Sequence, residues 1–100
     1  MTMINKELAE IAIKNSEAYS RNQLLILELL INISSDNLAT ASPLFIEERT
    51  GVKKPTIYFA LKTFQKDNLL SKDPNSRNSF IFNEDKINHF IQLYQNKQAV

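Results

Sequence analysis

The chain contains no cysteine and a single histidine. The first absence removes disulfides, zinc ribbons and thiol chemistry, and the second leaves too few imidazole ligands for a typical transition-metal site, so no metal or other cofactor is expected. A reducing, cytoplasmic compartment suits such a chain. Long apolar runs are missing as well. The longest, Leu24 to Leu30, is interrupted by Glu28 and falls far short of the roughly 20 residues that a membrane span requires. The N-terminus has no basic start followed by an apolar block, so neither secretion nor membrane insertion is expected. A reaction centre is absent too. Glu47 and Glu48 are neighbouring acids with no convergent partner, and His89 falls off the apolar stripe of its helix, which predicts a protein that is not an enzyme.

What remains is an ordinary globular mixture, 43% apolar and 23% charged over 100 residues, which predicts one domain spanning residues 1–100. A core of that size is modest, and a partner subunit would help it. The net charge of +1 conceals an uneven distribution: residues 1–50 carry a net −3, residues 51–79 a net +4, and residues 80–100 balance. A basic middle third is the electrostatic footprint expected for phosphate, although a solvated basic face without a ligand carries the same signature.

Periodicity and capping residues divide the chain into elements. Ile4, Leu8, Ile11 and Ala12 recur at three- and four-residue steps and predict an N-terminal helix over 4–18. Ser20 with Gln23 forms a capping-box pattern ahead of a run that is apolar almost all round, predicting a buried core helix over 20–33 that the polar cluster Ser34 to Asn37 ends. Ser42 followed by Pro43 is a strong helix start, and Gly51, the only glycine, is expected at positive φ as the C-cap of a short helix over 43–50. Pro55 opens a second motif helix over 55–67 with Ile57, Ala60, Leu61 and Phe64 inward, and Asn68 is expected in the left-handed region after it. Residues 69–83 then read as a hairpin, with Phe80 and Phe82 alternating against Ser79 and Ile81 and the turn-rich stretch Asp73 to Asn78 at its tip. Asn83 caps a C-terminal helix over 84–97, with Glu84 and Asp85 in its first turn and Ile87, Phe90, Ile91 and Tyr94 along its stripe.

A short helix, a turn pinned by Gly51, a second helix packed back on the first and a hairpin behind them form the winged helix-turn-helix plan. The expected fold class is therefore mainly α with a small β-hairpin, carrying extra N- and C-terminal helices. The segment TGVKKPTIYFALKTFQKDNLLSK resembles the recognition-helix region of winged-helix regulators, above all those of the MarR type, and the resemblance extends over residues 42–83. It implies that Gly51 and Val52 make the turn and that Ile57, Leu61 and Phe64 face inward. Asn68, Leu69 and Leu70 stand where such proteins read glycine and two apolar residues. Two positions depart from the pattern. Glu47 occupies a site, four before the turn glycine, that is usually small because the helices cross closely there, so its carboxylate must reach solvent or the crossing must widen. Lys53 and Lys54 replace a polar cap ahead of Pro55, and cations there oppose the helix macrodipole at a cost of a few tenths to about 1 kcal/mol that an anion would relieve.

By that resemblance Thr56, Tyr58, Phe59 and Lys62 correspond to positions that reach base edges or the flanking backbone of double-stranded DNA. Thr56 and Lys62 could hydrogen-bond bases, and Phe59 could meet a thymine methyl. Lys53, Lys54 and Lys66 add phosphate contacts, and Ser76, Arg77 and Asn78 at the wing tip would reach the minor groove or its phosphates. The plainer alternative has Tyr58 and Phe59 packing on the N-terminal helix or a second subunit, and the wing tip serving as a hydrophilic turn. The outer helices present stripes through which a homodimer is expected, using Ile4, Leu8, Ile11, Ile87, Phe90, Ile91 and Tyr94 and spacing two recognition helices by about 34 Å. Alternatively, the N-terminal helix folds back on its own core. The function these features predict is sequence-specific duplex binding by a small transcriptional regulator or repressor of a compact genome. A plasmid or phage replication initiator or accessory factor, and a winged protein-interaction module without DNA, are the alternatives.

Overall fold

In the computed structural model, which describes residues 5–98, α1 (Lys6–Asn15) begins where Asn5 Oδ1 accepts a hydrogen bond from Leu8 N at 3.1 Å. Ile4 lies outside the described residues. The helix stops three residues short of the expected 18. Ser16 Oγ donates to Ile13 O at 2.6 Å and accepts from Ala18 N at 3.2 Å, and Glu17 takes a left-handed φ of 60°. A serine competing for backbone partners thus ends a stripe that no glycine or proline interrupts.

α2 (Arg21–Ile33) starts on a complete capping box: Gln23 N donates to Ser20 Oγ at 3.3 Å, and Ser20 N donates to Gln23 Oε1 at 3.0 Å. Ile26, Leu27, Leu30 and Ile31 are buried, and the helix touches α1 and the elements of the motif described below, so it is the centre of the fold. At its far end Lys6 Nζ donates to the carbonyls of Asn32 at 3.1 Å and Ser34 at 2.7 Å, placing a cation on the negative pole of the helix.

The polar cluster after α2 does more than end it. Asp36 and Asn37 adopt φ of 51° and 68°, and the chain reverses into a short strand, β1 (Leu38–Thr40), that the sequence pattern does not predict. α3 (Pro43–Thr50) follows, with Ser42 Oγ accepting from Phe45 N at 3.1 Å. Gly51 is left-handed at φ 77°, and a Cβ there would meet nothing within 4 Å, so glycine serves the backbone angle rather than a tight space. Glu47 is half-buried rather than enclosed at the helix crossing.

α4 (Lys54–Lys66) runs one residue ahead of the expected 55–67 at both ends. Asn68 takes φ 61° after it, and Leu69 N donates to Phe64 O at 2.9 Å. β2 (Leu70–Lys72) and β3 (Ser79–Phe82) form the wing, but the sheet has three antiparallel strands in the order β1-β3-β2, not a simple hairpin. β1 pairs Ala39 with Phe80 and Thr40 with Ser79, while β2 pairs Ser71 with Ile81. This extra strand also corrects the expected alternation. Ser79 is buried beside Phe80, its hydroxyl 2.8 Å from Thr40 Oγ1 and donating to Ser76 Oγ at 3.0 Å.

α5 (Glu84–Gln98) opens where Asn83 Oδ1 accepts from Asp85 N at 3.1 Å. It lies along α1. Ile87 and Phe90 are enclosed by that packing, so these two residues of the stripe expected to meet a second subunit are core of the same chain, while Leu8, Ile91 and Tyr94 are half-buried and Ile11 is 40% exposed. The N-terminal helix needed an apolar surface to cover it, and α5 supplies one within the protomer. Tyr19, on the link between α1 and α2, joins the same core, its ring edge-on to Phe64 at 5.3 Å and tilted against Phe90 at 6.2 Å. Three helices with a three-stranded wing, flanked by α1 and α5, make a winged helix-turn-helix fold.

Candidate nucleic-acid interface

α4 buries one face and exposes the other. Ile57, Ala60, Leu61 and Phe64 point into the core, whereas Pro55, Tyr58, Phe59, Lys62 and Lys66 form an outward stripe at three- and four-residue steps. Tyr58 is 57% and Phe59 66% exposed, so neither packs on the N-terminal helix as the plainer alternative would have it. Aromatic rings left so open are uncommon on a monomeric surface unless they meet something.

The start of α4 differs from the other capped starts. Lys53 has the extended backbone of a capping residue, with φ −74° and ψ 150°, but no side chain accepts from the first turn. Pro55 has no amide, so the amides of Lys54 and Thr56 point outward without a capping oxygen, beside two exposed lysines. An electropositive end of this kind favours an anion on two counts, helix dipole and lysine charge. Lys66 closes the other end of the stripe, about 18 Å away at 1.5 Å per residue, so the two ends would address separate stretches of a backbone.

Between α4 and the wing lies a cleft of about 870 Å³. Tyr58, Phe59, Lys62 and Gln65 line it from the helix, and Lys72, Arg77 and Asn78 line it from the wing. The structure thus gathers five of the sequence-derived residues in one place, while Lys53, Lys54, Thr56, Lys66 and Ser76 stand outside it. Lys72 and Gln65 are additions. Lys72 belongs to the basic third of the chain but lies on β2, the strand that packs against α4, rather than in the motif.

The wing tip is built by its own turn. Asn75 N donates to Asp73 Oδ1 at 3.0 Å and Ser76 N donates to Asp73 O at 3.2 Å. The Ser76 hydroxyl is held by Ser79, and the Asn78 carbonyl accepts from Ala41 N at 2.8 Å. Of the three tip residues, Arg77 alone is exposed, Ser76 and Asn78 being half-buried. The two acids of this third of the chain are also engaged locally: Asp73 in the turn, and Asp67 as acceptor of the Tyr19 hydroxyl at 3.1 Å. Burial and the Asp67 carboxylate beside it push the Tyr19 hydroxyl well above its ordinary range, so it stays protonated and donates. The basic side chains therefore dominate the outward face. Among the described residues no group of three or more His, Asp or Glu side chains gathers to hold a metal ion.

Fold and cleft together define a winged helix-turn-helix domain with a basic, aromatic groove. No protein-family model matches the chain, and no curated protein does. Two solved structures are similar to it. One is TrmBL2, an archaeal chromatin protein described as showing a novel mode of DNA binding, at a TM-score of 0.59 and 16% identity, over 96% of this chain and 35% of that one. The chain thus spans about a third of the length of TrmBL2. The other is a mutant of TubR, a protein of type III plasmid segregation, at a TM-score of 0.55 and 14% identity, over 100% of this chain and 99% of that one. At these identities the likeness is one of fold, and neither neighbour is described as a regulator of the MarR type.

Proposed function

We propose that the chain binds double-stranded DNA as a small sequence-specific regulator, laying the outer stripe of α4 in the major groove and Arg77 of the wing against the minor groove or its phosphates. The observation that carries this is the cleft in which Tyr58, Phe59, Lys62, Lys72 and Arg77 converge, next to an uncapped, lysine-bearing helix start. A major groove about 12 Å wide admits one helix, and the exposed stripe offers lysines for phosphate or guanine and an aromatic ring for thymine methyls. The described DNA binding of TrmBL2, a protein of similar fold, supports the same reading. It is a binding role without catalysis. It fits a cytoplasmic location, and no helix among the described residues is long and apolar enough to cross a membrane.

A second reading, an accessory DNA-binding factor of plasmid maintenance, draws on the end-to-end likeness to TubR. Both share the same interface and differ in the target. Selection of bound fragments from random duplex DNA at two salt concentrations tests both. A short, discrete motif is expected of a regulator, and arrays of repeated sites of an accessory factor. Replacing Lys53 and Lys54 with Ala should flatten the dependence of log affinity on log salt by about 1.8, at about 0.9 per phosphate contact. No salt-dependent duplex binding by the wild-type chain would leave the protein-interaction alternative in its place.

A further inference from the structure

On the side of α2 away from the core lies a second groove, about 470 Å³, between α1 and α2. Its walls are apolar and open: Ile11 is 40% and Leu25 38% exposed, with Leu24 half-buried beside them. Charge is sorted along it. α1 and α2 form a helical hairpin, so Lys14 and Arg21 flank the end near the connecting turn, and Glu10 and Glu28 flank the other. Arg21 and Glu28 are seven residues, about 10 Å, apart on one stripe, too far to pair within the helix. Glu10 Oε1 is buried with no hydrogen-bond partner. Burial first, and then the nearby Glu28 carboxylate, hold the Glu10 carboxyl above its ordinary range, and the Asn32 side chain and the Lys6 charge offset this only in part, so the acidic end is incompletely compensated in a single copy.

We infer that a second copy of this chain docks in the groove, α2 against α2 antiparallel, with Arg21 of each copy facing Glu28 of the other and the leucines meeting at the axis. The pattern is self-complementary in the sense a two-fold interface requires. An axis crossing α2 between Leu24 and Leu25 sets Arg21 opposite Glu28 of the second copy, and Leu24 opposite its Leu25. The same operation brings the basic end of one groove to the acidic end of the other, where Lys14 and Arg21 supply the donors that Glu10 lacks. A peptide or lipid partner would not need opposite charges at opposite ends at this spacing. The interface differs from one built on Ile87 and Phe90, which are core residues here. It also leaves the outer face of α4 open, because Arg21, Leu25 and Glu28 project from the opposite side of α2 to Ile26 and Leu30.

Charge reversal tests the pairing by sedimentation velocity across a concentration series, with circular dichroism to confirm folding. Both target residues are exposed, so each variant is expected to fold. Wild type should sediment as a dimer. Arg21→Glu and Glu28→Arg should each weaken association by about tenfold or more, since each sets like charges face to face. An equimolar mixture of the two single variants should recover dimers, because in the mixed pair each position 21 again faces a position 28 of opposite charge across the axis. The double variant R21E/E28R should associate with itself. A wild-type chain that stays at 11.5 kDa at tens of micromolar overturns the inference. So do single variants that dimerise as wild type does, or a mixture that stays monomeric. None of these readouts involves DNA, so failure here and failure of duplex binding are separately visible.

Discussion

Replacing Lys53 with serine should make the protein more stable and a weaker DNA binder at once. The backbone at position 53 already has the geometry of a capping residue, with φ −74° and ψ 150°. Pro55 offers no amide, so a serine hydroxyl would accept from Thr56 N, the third position of the helix. Ser20 and Ser42 reach the equivalent amides, those of Gln23 and Phe45, in α2 and α3. A serine cap contributes about 1 kcal/mol, and removing a cation from the positive pole of the helix adds about 0.3–1 kcal/mol. The melting temperature should therefore rise by several degrees, at about 4–8 °C per kcal/mol for a domain of this size. Fluorescence anisotropy with a selected duplex should show the salt slope reduced by about 0.9, one phosphate contact. If stability does not increase, the first turn of α4 is already satisfied in a way the geometry does not show. If stability increases while the slope stays fixed, Lys53 does not reach a phosphate. Only the two changes together support a helix start left uncapped for an anion.

Phe59→Ala should leave the melting temperature within about 2–4 °C, because the ring is 66% exposed, while weakening duplex binding severalfold; a large loss of stability would place the ring in the fold instead. Gly51→Ala should cost about 1–2 kcal/mol in urea unfolding, all of it from the left-handed φ since the space is open, and Gly51→Asn should cost less. Tyr19→Phe keeps the packed ring but removes the hydrogen bond to Asp67, a loss of about 0.5–1.5 kcal/mol at neutral pH because Asp67 is exposed and water can replace the donor. Because the folded protein holds the Tyr19 proton above its ordinary range, its contribution is present below pH 10 and lost as pH rises further, when the unfolded tyrosine ionises and the folded one does not. Stability of wild type relative to Tyr19→Phe, followed by denaturant unfolding, should therefore converge at alkaline pH; a constant difference would contradict the assigned donor.

Elements announced by local chemistry could be read in advance. Ser20, Ser42, Gly51 and Asn68 declare caps and turns through backbone requirements that need no knowledge of the rest of the fold, and all four occupy those places. The outward stripe of α4 followed from periodicity. Three features were not readable, two of them because they depended on contacts distant in sequence. β1 is three residues with no alternating pattern of its own and exists because β3 pairs with it. The short end of α1 is a local matter: the Ser16 hydroxyl bonds backbone groups on both sides of it, and a serine in a helical pattern does not announce whether it will do so. The apolar stripe of α5 was visible, but periodicity says that a stripe must be covered without saying by what, and α1 of the same chain covers it. The role of Lys72 in the cleft belongs to the same class, since only the packing of the wing against α4 brings it beside Lys62, whereas Gln65 is a helical neighbour of Lys62 three residues on and was within reach of periodicity.

The placement of β3 between β1 and β2 bears on how the wing behaves when it meets a ligand. A two-stranded ribbon can twist and sway about its base, but a strand bonded along both edges is fixed in its plane, and buried Phe80 and Phe82 pin it to the body. Arg77 is thus carried on a stiff arm rather than a loose finger. Its approach angle to α4 is set when the chain folds, so docking would immobilise one side chain and not a whole loop, which spares affinity an entropic loss that swaying wings incur.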